Sequence, residues 1–249
     1  MFRAVTDHVG RALGCRAELV VGSDFEQFET GEVDAGFMCG LPYVRLARRE
    51  PSPVELLAAP VLMGTRYGGR PIYYSDVIVH ASSPCSTFAD LRGRSWAYND
   101  PGSHSGYNVT RYRLLEMGET GGFFGSVIAA GSHQRSIRLV AEGKVDGSAV
   151  DSQVLAVELG DHPRLRAALR VIDALGPSPI PPVVASRQLP DPLKVRIRES
   201  LLAMGGEPAG RVALASGLVE RFVSVEDRDY DPIRQMEATA ERAGFVTLS

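Results

Sequence analysis

The sequence predicts an α/β fold built as two lobes, and three observations carry that expectation. Apolar or β-branched runs alternate with helical patterns along nearly the whole chain, the mark of an α/β layer structure. A Gly-rich break at 64–71 (GTRYGGRP) and a Pro-rich break at 176–182 (GPSPIPP) flank a central block with an alternation of its own. A chain of 249 residues also suffices to bury one large core or two smaller ones. The expected division is residues 1–76 with 182–249 in one lobe and 77–181 in the other.

Taken in order, Thr6–Leu13 reads as a helix closed by Gly14, and Ala17–Val21 as a strand. Asp24 caps a short helix through Phe28 that ends at Gly31. Asp34–Met38 is a strand, Cys39–Tyr43 its closing turn and Tyr43–Glu50 a helix. Val54–Leu62 and Ile72–Val79 are strands on either side of the first break. Residues 82–93 hold turns and a short helix. Trp96–Tyr98 is a strand, 99–105 a polar loop, and a helix starts near Gly106, with Val109, Tyr112 and Leu115 recurring on one face. Phe124–Ala130 is a strand, followed by a helix capped by Ser132 and stopped at Gly143. Gly147–Val150 is a strand, and Asp151 caps a helix that stops at Gly160. Leu169–Ala174 is a strand, after which the Pro-rich run should be irregular, because proline removes donors and fixes φ. Val183–Ala185 is extended, and the remainder is helical over Asp191–Met204, Pro208–Ser216 and Pro232–Ala243.

Composition excludes several function classes. A net charge of −3, with arginines scattered among acids, gives no footprint for nucleic acid. No apolar run is long enough to span a membrane, so no direct membrane insertion is expected. Cys15, Cys39 and Cys85 show neither metal spacing nor a disulfide framework, and the five histidines include no HExxH pair. No metal and no cofactor are expected. The opening MFRAVTDHVGRALGCRAELVV is an amphipathic helix leading into a strand, and it reads as no signal peptide.

Polar groups gather at three loops of one design: a strand, a short polar turn, then a helix N-terminus. They are Asp100–Gly106, Gly131–His133 and Val150–Ser152. In a parallel sheet such loops emerge at the carboxyl ends of the strands. Free N–H groups, hydroxyls and the positive helix end there suit an oxyanion. Candidate ligand groups are Ser103, His104, Ser105, Ser132, His133, Asp151 and Ser152; plain helix capping remains open for Ser103, Ser105, Ser132 and Asp151. His133, at a helix start, is expected to be neutral. Gly102–Gly106 looks like the G-x-S-x-G nucleophile elbow but has His104 at its centre, and no GK[ST] follows a glycine loop. No catalytic residue is assigned.

Four stretches together, DLRGRSWAYNDPGSHSGYNVTRYRLLE, FFGSVIAAGSHQRSIRLVAEGKVDGSAVDSQVL, SPIPPVVASRQLP and DRDYDPIRQM, resemble the PhnD-like family of phosphate/phosphonate substrate-binding proteins of ABC importers, over roughly Ala12 to Met236. The resemblance implies a type II periplasmic-binding-protein fold with a two-strand hinge and a closing cleft. It implies an anion turn at Ser103-His104-Ser105-Gly106, with His133 after the next strand and Tyr73 in the hinge strand. It also implies Tyr43, or the Gly40 backbone, at the cleft. His104 stands where the family usually has threonine, and Gln153 and Pro181 stand where aminoalkyl-binding members carry acids. The family's first strand and export signal are not found in this reading, so a periplasmic or extracytoplasmic location comes from the resemblance and a cytoplasmic one from the chain's opening. The function so implied is capture of a small oxyanion or anion-bearing solute, with an ABC permease as partner. The alternatives are a cytosolic enzyme on the same fold acting in cofactor-precursor metabolism, or a ligand-sensing module.

Overall fold

The computed structural model describes residues 1–22 and 24–248. In chain order the elements are α1 (Phe2–Leu13), α2 (Glu26–Thr30), β1 (Ala35–Phe37), α3 (Gly40–Ala47), β2 (Val54–Leu62), β3 (Ile72–His80) and β4 (Ser95–Tyr98). There follow α4 (Val109–Glu116), β5 (Ser126–Ala129), α5 (His133–Ala141), β6 (Gly147–Asp151), α6 (Ser152–Asp161), α7 (Pro163–Ala168) and β7 (Leu169–Pro179). The chain closes with β8 (Val183–Ser186), α8 (Asp191–Met204), α9 (Pro208–Ala215), β9 (Val219–Val223) and α10 (Asp231–Arg242). No helix among the described residues is long and apolar enough to cross a membrane.

The chain forms two compact units. Unit 1 comprises Met1–Ile72 and Pro179–Asp231, and unit 2 comprises Tyr73–Ser178 and the chain from Pro232 onward. The chain therefore passes between units three times, not the two expected. The C-terminal segment, grouped by sequence with the first lobe, packs in unit 2: Phe245 and Leu248 are buried in one core with Trp96, Phe88, Phe124 and Leu114. Their apolar surface finds cover there, at roughly 25 cal/mol per Å² buried.

Unit 1 carries a sheet of order β1-β8-β2-β9, with β8 antiparallel to both neighbours. Gly14, in the left-handed region at φ 70°, ends α1 and donates its N–H to Arg11 O. Asp24 Oδ1 accepts the Glu26 N–H at 2.8 Å and starts α2. The strand expected over Ala17–Val21 is not formed: the segment is irregular, with Val20 and Val21 exposed. A β-prone run without a ladder partner has no main-chain reason to remain extended. Strand β9 was not anticipated; its Phe222 and Val219 are buried against β2.

Unit 2 carries a five-stranded sheet of order β5-β4-β6-β3-β7. β4 runs parallel to both β5 and β6, and β3 is antiparallel to β6. One face covers the Trp96 core; the other packs Ile78, Ala97 and Val150 against Ile137 and Val140 of α5 and Leu155 of α6. β7 overturns one expectation, for it continues through Pro177 to Pro179 instead of breaking at Gly176. It is an edge strand, and there a missing N–H on the open side costs the ladder nothing. Conversely, β5 starts only at Ser126, because Phe123 and Phe124 turn into the core and stack on Phe88 and Trp96.

Candidate functional site

The three polar loops lie where the parallel register puts them, at the carboxyl ends of β4, β5 and β6. The loop after β4 does not enter α4 directly. Residues His104–Asn108 form a π-helical turn, in which the Asn108 N–H reaches back to Ser103 O at 3.1 Å. Such wide turns are rare and concentrate at functional sites. All five residues of the turn are buried. Glycine at 106 has a steric cause: a Cβ there would sit on Asn99 Oδ1 and lie 3.0 Å from Asn99 Cγ.

Ser103 caps the turn, its Oγ accepting the Gly106 N–H at 3.3 Å. Ser103 Oγ lies 3.4 Å from Ser105 Oγ, and Ser105 Oγ lies 2.9 Å from Nε2 of His133. His133 is the first residue of α5, whose N-terminus is capped by Ser132 Oγ on the Arg135 N–H at 3.2 Å. Burial pushes the His133 imidazole down to about 4, so it is neutral at neutral pH. Its Nδ1 is buried without a hydrogen-bond partner. Ser103, Ser105 and His133 are thus one connected group, made from two loops.

The other candidates are placed differently. His104 is fully buried, with Nε2 2.9 Å from Ser178 Oγ and Nδ1 3.2 Å from Asn108 Nδ2. Burial pushes it down to about 3. Tyr73 is buried in β3 with its ring edge-on to His104, centroids 6.5 Å apart. Asp151 caps α6, its Oδ1 accepting from Gln153 N at 2.8 Å and Val154 N at 3.2 Å. Burial drives the Asp151 carboxyl up to about 6 against those two bonds, with the Asp76 charge adding to the rise. Ser152 Oγ accepts the Tyr74 N–H at 3.2 Å. Tyr43 lies in unit 1, where its hydroxyl donates to Asp227 Oδ1 at 2.6 Å and its ring meets Tyr230 edge-on.

Sequence reasoning missed Asn108, Arg111 and Ser178. Arg111 Nη2 donates to Asn108 Oδ1 at 3.1 Å, and Arg111 Nη1 donates to the carbonyls of Phe245 and Val246 at 3.0 and 2.9 Å. The spacing His104, Asn108, Arg111 is i, i+4, i+7, one face of a helix, and that face was there to be read. Ser178 lay inside the proline run, where no local pattern marks it.

A hydroxyl 2.9 Å from an imidazole invites a nucleophile–base reading, which the surroundings oppose. A hydrolytic dyad needs a basic imidazole held by a third group on its other nitrogen. Here Nδ1 has no partner and burial weakens the base. No group of three or more His, Cys, Asp or Glu among the described residues is arranged to hold a metal ion. The arrangement offers neutral hydrogen-bond donors at two helix starts.

Residues 1–230 match the model of a family described as "ABC transporter, phosphonate, periplasmic substrate-binding protein". Among solved structures, the chain is similar to the binding protein component of an ABC phosphonate transporter from Pseudomonas aeruginosa, at 20% identity, over 98% of this chain and 82% of that one, with a TM-score of 0.85. It is similar to PhnD1 from Prochlorococcus marinus, solved in complex with methylphosphonate, at 18% identity, over 97% of this chain and 92% of that one, with a TM-score of 0.83. A Xanthomonas citri protein bound to ATP matches at 19% identity, over 98% and 93% of the two chains, with a TM-score of 0.71. At these identities the structural likeness is one of fold.

Proposed function

Because this chain belongs to the family of periplasmic substrate-binding proteins of phosphonate ABC transporters, we propose that Ser103, Ser105 and His133 form the seat for the oxyanion end of its solute. The chain captures a phosphate- or phosphonate-like anion for an ABC importer, on the periplasmic or extracytoplasmic side, and hands it to a permease. It is a transport protein, not an enzyme.

The observation that supports the seat is where the hydroxyl protons can point. Ser103 Oγ already accepts the Gly106 N–H. Ser105 Oγ faces Nε2 of a neutral histidine, and a proton on Nε2 makes that hydroxyl an acceptor too. The two hydroxyls also lie 3.4 Å apart and either can donate to the other, so with Ser103 donating to Ser105 the Ser105 O–H is left to donate. A relay of His133 Nε2–H to Ser105 Oγ, and Ser105 O–H to the solute, delivers a donor without a formal charge. The two helix starts add their dipoles in the same sense. In this reading His104 makes no contact with the solute, and Asp151 serves its own helix.

The test is a thermal-shift screen with phosphate, phosphite, sulfate, methylphosphonate and aminoethylphosphonate. A solute at a thousand times its Kd adds about 4 kcal/mol of stability. A phosphorus oxyanion should shift the parent protein and leave the S103A/S105A double variant unmoved. Equal shifts in both proteins would place the seat elsewhere.

A further inference from the structure

We infer that His104 is a positioning residue for the anion seat: it holds the wide turn in place as a fixed Nε2–H tautomer and does not itself touch the solute. The inference rests on the seat proposed above and deepens it. Hydrogen-bond direction carries it, starting from Arg111, which can only donate. Its Nη2 lies on Asn108 Oδ1 at 3.1 Å, so the Asn108 amide is oriented with its oxygen toward Arg111 and its NH₂ toward His104. An NH₂ group can only donate, so His104 Nδ1 is an acceptor and carries no proton. In a neutral imidazole the proton is then on Nε2, which donates to Ser178 Oγ at 2.9 Å. Every step in this chain has one direction.

The relay ties three parts of unit 2 together. Arg111 anchors it to the carbonyls of Phe245 and Val246, and Tyr107 reinforces that anchor, its hydroxyl donating to Val246 O at 3.2 Å and accepting the Leu248 N–H at 3.3 Å. Ser178 anchors the other end to β7. His104 stands between Ser103 and Ser105 in the chain, and its side chain is the part of the turn fastened at both ring nitrogens. The ring of Tyr73 lies edge-on against it. Loosening His104 should therefore let the two flanking hydroxyls lose register, with the seat's own donors all present.

The experiment is isothermal titration of the full chain with inorganic phosphate and methylphosphonate, beside ¹⁵N imidazole spectra. The ring of His104 is expected to show a protonated Nε2 and a bare Nδ1. His104→Leu should weaken anion binding by about tenfold or more, the size of a lost hydrogen bond or two. His104→Gln restores a donor toward Ser178 and should recover most of that loss. If His104→Leu does not fold, Ser178→Ala removes only the acceptor and should still weaken binding several-fold. A role confined to stability would lower Tm in these variants and leave Kd unchanged, and that outcome overturns the inference while S103A/S105A still loses binding. A proton found on Nδ1 overturns it as well. Unchanged binding in S103A/S105A brings down the seat itself, and this inference with it.

Discussion

Ser105 Oγ lies 2.9 Å from His133 Nε2, although 28 residues separate them in the chain. The contact exists because β4 and β5 are parallel neighbours, paired from Ser95↔Ser126 to Tyr98↔Ala129, so their following loops leave the sheet side by side. His133→Ala should then weaken binding of the phosphorus anion by about 1–3 kcal/mol, the cost of leaving a buried polar partner unpaired. Titration calorimetry against a distant surface variant decides it. A loss no larger than the surface control removes His133 from the seat.

The same histidine should not titrate near neutrality. Burial holds it at about 4, so its ring proton and carbon shifts should stay flat from pH 8 down to pH 5. A titration centred near 6.5 in the NMR spectrum would show an open, solvated ring and a seat with a switchable charge.

Gly106→Ala should destabilise unit 2 by about 1–3 kcal/mol, the usual cost of forcing a methyl group into a packed site. The clash falls on the Asn99 side chain, whose Oδ1 is buried without a partner. Asn99→Ala should therefore cost little alone and relieve most of the Gly106→Ala penalty. Urea denaturation of the four proteins in a double-mutant cycle measures the coupling. Additive losses would mean that the strain lies in the backbone of the wide turn.

Stability should fall on mild acidification. The folded value of His104, about 3, lies below the ordinary 6.5, so the unfolded chain takes up the proton first and stability drops as pH falls below 6.5. From pH 6.5 to 5 the His104 loss is about 2 kcal/mol, and His133 adds loss of the same sign. Asp151 opposes this. Its folded value of about 6 lies above the usual carboxyl value, so the folded state regains about 1 kcal/mol over the same span. The histidines win, and the urea midpoint should decline from pH 7 to 5.

Asp151→Asn isolates the opposing term. Asparagine keeps the capping oxygen and carries no charge. The variant should exceed the parent by up to about 3 kcal/mol at pH 7.5, converge with it near pH 4, and show the steeper acid decline. A constant difference across pH would mean that the carboxyl ionises as freely as in water.

By itself the sequence determined the α/β alternation, most helix ends and the three polar loops, because these depend on signals within a few residues. Gly14, Ser132 and Asp151 cap the helices their positions imply, whereas α2 has Phe25 at its N-cap and Asp24 one residue before it. Its motifs also pointed to the family to which the chain belongs. Only the tertiary structure decided which polar groups meet. Proline tolerance in β7 came from its place at a sheet edge, and the irregular Ala17–Val21 from the lack of a ladder. His104, read as a ligand, has both ring nitrogens engaged by Asn108 and Ser178, the latter 74 residues away. Local patterns set what a residue can offer; the partner that takes the offer is chosen by packing between segments distant in the chain.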